Sequence, residues 1–116
     1  MGSVAPYAQP ASFVSGVTAS ITDVTATSVI AAQGAGVIIY VTSIMVSNGD
    51  ADTGTFVDIT DGSGGTIMWS GYAAEKGGGF VVNFNIPIKF TANTAVFAKC
   101  ATTGATVRVN ASGYKE

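Results

Sequence analysis

Between Phe80 and Phe90 the chain alternates with a period of two. Phe80, Val82, Phe84, Ile86, Ile88 and Phe90 share one parity, while Val81, Asn83, Asn85, Pro87 and Lys89 hold the other. Alternation of this length predicts a β-strand with one buried face. Fully burying each of these large apolar side chains is worth roughly 1.5–3 kcal/mol. Pro87 has no N–H to give to a ladder, so the strand belongs at a sheet edge or bends near Pro87.

The same reading predicts seven more strands. Val17, Ala19 and Ile21 alternate with Thr18, Ser20 and Thr22, which predicts a half-buried strand with a hydroxyl-rich outer face. Val24–Ala32 is a weaker strand, followed by the turn Gly34-Ala35-Gly36. Val37–Ser47 is next, and its start, Val37 to Val41, is apolar on both faces, as expected where a core meets a subunit contact. Asn48–Gly54 reads as a loop. Thr55–Asp61 and Thr66–Trp69 form a hairpin through Asp61-Gly62-Ser63-Gly64-Gly65, and Gly71–Gly79 reads as a loop. Ala95–Ala101 and Thr106–Ala111 close the chain, with Val107, Val109 and Ala111 inward and Thr106, Arg108 and Asn110 outward. About eight short strands at this spacing predict a sandwich or barrel in one domain, residues 13–116.

Composition sharpens the class. The chain has no Leu but 14 Val, 9 Ile and 14 Thr, β-branched types that suit a pleated surface and lose rotamer freedom in a helix. The expected class is all-β and antiparallel. Residues 1–12 differ: Val4, Pro6, Tyr7 and Pro10 stand among small and polar residues without a period. Two prolines favour an extended path. Such an arm is held only when tied down, here by a neighbouring subunit or by its own domain. The expected tie is a neighbouring subunit.

Charge and residue type remove most enzymes. There is no His, the commonest general base and metal ligand. A net charge of −2 with only 10% charged residues leaves no basic footprint for nucleic acid or anionic lipid. The single cysteine, Cys100, offers no intrachain disulfide and no Cys-based zinc site, and reads as a buried small hydrophobe. Asn48, Asp50 and Asp52 imitate the start of a calcium loop, but Thr53 stands where Gly is needed and Ile59 where Glu is needed. The glycine-rich stretches 62–65 and 77–79 lead into no helix and read as turns, not phosphate cradles. Asn110-Ala111-Ser112 matches a glycosylation sequon, yet Met1–Pro10 lacks the basic start and apolar run of a signal peptide. No catalytic residue, metal or cofactor is expected, and the chain is expected to be made in a reducing cytosol.

Trp69 and Tyr72 are candidate anchors, either for a protein interface or as stacking faces for a glycan. So few charges favour an interface, because an assembled subunit hides neutral surface that a monomer exposes.

Three segments carry a family resemblance: Val41 to Asn48, Asp58-Ile59-Thr60-Asp61-Gly62, and Val107 to Tyr114. Together they resemble small bacteriophage head-decoration, or cement, proteins, over Val37 to Tyr114, roughly two-thirds of the chain. The resemblance implies a jelly-roll-like β-sandwich, a homotrimer and attachment to the major capsid protein on the virion surface. Similar phrases occur in phage fibre and tail-tip proteins, which stay an alternative, as does a glycan-binding module using Trp69 and Tyr72. Subunit or capsid contacts are expected at Val4, Pro6, Tyr7, Pro10, Trp69 and Tyr72.

Overall fold

The structure, a computed structural model, describes residues 12–116. None of them is helical. Eight strands follow in chain order: β1 (Phe13–Val17), β2 (Thr27–Ile30), β3 (Ile39–Asn48), β4 (Thr55–Asp61), β5 (Ile67–Ala73), β6 (Gly79–Lys89), β7 (Val96–Cys100) and β8 (Val107–Lys115). They form two antiparallel four-stranded sheets, ordered β1-β8-β3-β6 and β2-β7-β4-β5.

This order has a simple origin. The β4–β5 hairpin is the tip of a long ribbon in which β3 pairs with β6, β2 with β7 and β1 with β8. Rolling that ribbon on itself creates the remaining pairs, β3 with β8 and β4 with β7. The result is a jelly roll, an eight-stranded double sheet in which only β4 and β5 are neighbours in both sequence and sheet.

The core lies between the sheets. Val41, Ile44, Val57, Ile59, Val96, Val107 and Val109 are completely or almost completely buried, and Phe90 fills one end. Val107, Val109 and Ala111 point inward and Arg108 and Asn110 outward, as the alternation predicts. β-Branched side chains fill this narrow space with little rotamer entropy to lose. At the seam between β1 and β2 only glycine fits: a Cβ on Gly16 would lie 1.8 Å from the carbonyl oxygen of Val29.

Four expectations need correction. The first strand is Phe13–Val17, not the stretch from Val17 to Thr22, and Val17 and Thr18 exchange the expected sides while Ile21 is buried as expected: Val17 is 65% exposed. Thr18 takes the inner position, because its hydroxyl accepts the Val109 N–H at 3.1 Å and so satisfies itself in the core. Beyond it only Ile21 rejoins β8, in one bridge to Val107. The weak strand at Val24–Ala32 shrinks to the four residues of β2. The loop expected at Gly71–Gly79 covers only residues 74–78, since β5 continues through Ala73. Gly71 is a strand glycine with a packing role: a Cβ there would lie 2.6 Å from the Trp69 ring and 2.9 Å from Phe80.

β6 is an edge strand, one of the two outcomes Pro87 allows, but the six apolar residues of the series from Phe80 to Phe90 do not all face inward. Val41 pairs with Ile88 and Ser43 with Asn83, so Phe84 to Pro87 stand opposite Thr42 alone. This bulge leaves Ile86 85% exposed. A bulge bends its strand and redirects side chains, and here it turns one apolar residue out of the core.

Candidate functional site

The functional candidates lie on the outer faces of the two sheets. On the β2-β7-β4-β5 sheet, Phe56 and Tyr72 are cross-strand partners. Both are about half exposed and meet edge to face, ring centroids 5.1 Å apart. Beside them Asp58 lies between Lys99 and Ser70, and accepts the Ser70 hydroxyl at 2.7 Å. Trp69 is three residues before Tyr72 on the same strand, so the two point to opposite faces. Trp69 turns inward and packs on Phe80 and Phe84, centroids 5.1 and 6.4 Å away. The two anchors named from the sequence therefore form no common platform, and Phe56 takes the place beside Tyr72.

The other outer face holds a shallow groove of about 480 Å³ across β1, β8 and β3. Register alone explains its lining. Ser15, Ser112 and Ser43 stand in one row, continued by Asn83 on β6, and Val17, Asn110 and Met45 stand in the next, continued by Val81. Val17, Met45 and Val81 are each about half exposed or more. A third row, Phe13, Tyr114 and Tyr40, continued by Lys89 on β6, ends the groove, and its two tyrosines stack with centroids 4.9 Å apart. These rows contain no carboxylate. The bulge at Thr42, whose hydroxyl donates to the Ser112 carbonyl at 3.2 Å, separates the serine row from the aromatic one.

The remaining candidates serve the fold. Asn48, buried, and Asp50 tie down their own loop: Asp50 accepts the N–H groups of Asp52 and Thr53, which hold its carboxyl below its ordinary pKa. Among the described residues no three His, Cys, Asp or Glu side chains converge. Cys100 is 1% exposed, and burial, reinforced by the charges of Asp23 and Asp58, pushes its thiol up. It is thus a protonated core side chain at neutral pH. Gly62, Gly64 and Gly77 occupy positive-φ turn positions. Val4, Pro6, Tyr7 and Pro10 lie outside the described residues.

Neither the groove nor the exposure of Phe56 has a local signature in the sequence. The outward parity of Ser43, Met45, Asn110 and Ser112 is visible there, but nothing local says that β8 lies between β1 and β3. Comparison with protein-family models, with curated proteins and with solved structures finds no match.

Proposed function

We propose that this chain is a structural virion protein, one that binds the outer surface of a bacteriophage capsid as an oligomer and stabilises it. One observation carries the reading: apolar side chains stand exposed on both outer faces of a jelly roll that has only 10% charged residues. Val17, Met45 and Val81 lie on one face, Phe56, Tyr72 and Ile67 on the other, with Ile86 at an edge. Exposed apolar side chains that stand side by side, as Met45 does with Val81 and Phe56 with Tyr72, mark a contact more than scattered single residues do. The mechanism is area and multivalency. An oligomer, a homotrimer by resemblance, touches the shell at several points, and each contact after the first is intramolecular. Val4, Pro6, Tyr7 and Pro10 contribute subunit or capsid contacts in this reading, and no catalysis or cofactor is involved.

Light scattering on the purified protein, with electron images of capsids before and after its addition, tests the proposal. An oligomer that decorates the shell supports it; decoration of a tail tip or fibre base instead would move the protein along the particle. A monomer at high concentration with no affinity for particles overturns it.

The Phe56–Tyr72 pair beside Asp58, Ser70 and Lys99 favours one second reading, a glycan-binding module. Aromatic faces stack on sugar rings, and the polar row would supply hydrogen bonds. Binding on a glycan array that is lost in Tyr72→Ala but kept in conservative Trp69 variants would favour it.

A further inference from the structure

We infer that the groove across β1, β8 and β3 is the seat for the N-terminal segment, Val4 to Pro10, of a second copy of this chain. The inference rests on the self-association half of the proposed function and names the surface that receives the arm.

Three observations converge on this occupant. The first is chemistry. Residues 1–11 contain no charged side chain but include Val4, Pro6, Tyr7 and Pro10. The groove floor is equally neutral, with Val17 and Met45 for apolar contact and the Asn110 amide between them. Its aromatic end, where Tyr40 stacks on Tyr114, is the kind of surface on which proline-containing extended segments dock.

The second is length. Seven residues in a polyproline-like path span about 20 Å. Crossing four strands takes about 14 Å, at roughly 4.8 Å per step. The segment is therefore long enough to run obliquely across the face from the Val17–Met45 row to the aromatic row, four residues or about 14 Å along β8.

Direction is the third, and it selects a second copy. The β1–β8 ladder continues past Phe13, since the Lys115 N–H donates to the Ser12 carbonyl at 2.8 Å. Traced backwards, the chain is therefore still leaving the sheet at Ser12, beyond the aromatic row and away from Val17. A chain's own arm would have to reverse at once to reach its groove. A neighbour's arm can enter without reversing.

Cysteine pairing in full-length protein, free of particles, tests this. Tyr7→Cys protein is mixed with Asn110→Cys protein under mild oxidation, so that only a contact between copies can join the two variants. The expected result is a disulfide-linked heterodimer, at least tenfold more abundant than with Ser63→Cys, which is exposed in the β4–β5 turn. Met45→Asp placed in the Asn110→Cys chain should abolish the excess while leaving the thermal unfolding curve in place, because Met45 is 47% exposed. If Met45→Asp disturbs folding, Val17→Asp replaces it, at 65% exposure. No excess over the control, or an intrachain disulfide without dimers in a chain carrying both Tyr7→Cys and Asn110→Cys, overturns the inference. Capsid binding is assayed separately: particles decorated by protein that does not cross-link refute the seat alone, and cross-linking without decoration refutes the capsid reading alone.

Discussion

The side-chain amide of Asn48, wholly buried at the end of β3, donates to the carbonyl of Ala73 at the end of β5 across 3.2 Å. The same amide donates to the Thr53 carbonyl at 2.8 Å, and its oxygen accepts the N–H groups of Asp50 and Thr106. One side chain thus joins three connections at one end of the jelly roll, which neither sheet would hold together alone. Every polar atom of this amide is matched, as burial demands. Asn48→Ala leaves those backbone groups without partners, at roughly 1–3 kcal/mol for each that stays buried. The expected loss is at least about 2 kcal/mol, read as a lower denaturant midpoint with an unchanged slope. A midpoint like that of the parent protein would show that water replaces the amide.

Trp69 and Tyr72 should separate by phenotype. Trp69 packs against Phe80 and Phe84, so Trp69→Ala should destabilise by roughly 3 kcal/mol, the lower end of the range for large aromatic truncations because the ring is only partly buried. Tyr72→Ala removes an exposed ring and one edge contact to Phe56, and should cost no more than about 1 kcal/mol. Thermal denaturation of both variants checks the order. Equal losses would mean that Tyr72 is held more tightly than its exposure implies.

The two close-packed glycines differ in what a methyl group meets. At Gly16 it meets a backbone oxygen, that of Val29, at 1.8 Å; at Gly71 it meets the ends of two aromatic rings. Rings can tilt, whereas the β1–β2 seam must open. Gly71→Ala should cost the 1–3 kcal/mol typical of overpacking, and Gly16→Ala more, to the point of poor folding. Comparing soluble yield and unfolding midpoint of the pair decides it.

Acid should weaken the protein partly through Asp50. The backbone N–H groups of Asp52 and Thr53 lower its native pKa below the ordinary 3.8. A lowered native value means that the unfolded state binds the proton more readily. The contribution is therefore complete above about pH 4 and fades as pH falls through the native value. Asp50→Ala should flatten this part of the acid-unfolding curve; an unchanged curve would remove Asp50 from the acid response.

Cys100 responds in the opposite direction. Its native pKa is raised, so the unfolded thiol ionises first and stability falls as pH climbs past the ordinary value of 9.0. A thiol reagent at pH 8 should leave the folded protein untouched and label it stoichiometrically once unfolded. Rapid labelling of the native state would contradict the burial of this side chain.

What the sequence determined by itself was local in origin. Alternation and β-branching mark strands whatever their partners, so the count of about eight strands, the β4–β5 hairpin, the inward Val107 and Val109, and an edge or bend at Pro87 were legible. The tertiary structure decided which strands meet and in what register, because those pairings join residues far apart in sequence and are chosen by collective packing. Pairing with β8 put Thr18 inside and Val17 outside. A mismatch with β3 turned Ile86 out of the core, and continuing β5 through Gly71 sent Trp69 and Tyr72 to opposite faces. The groove exists for the same reason: only the rolled ribbon sets β8 between β1 and β3, bringing Ser15, Asn110 and Met45 onto one surface.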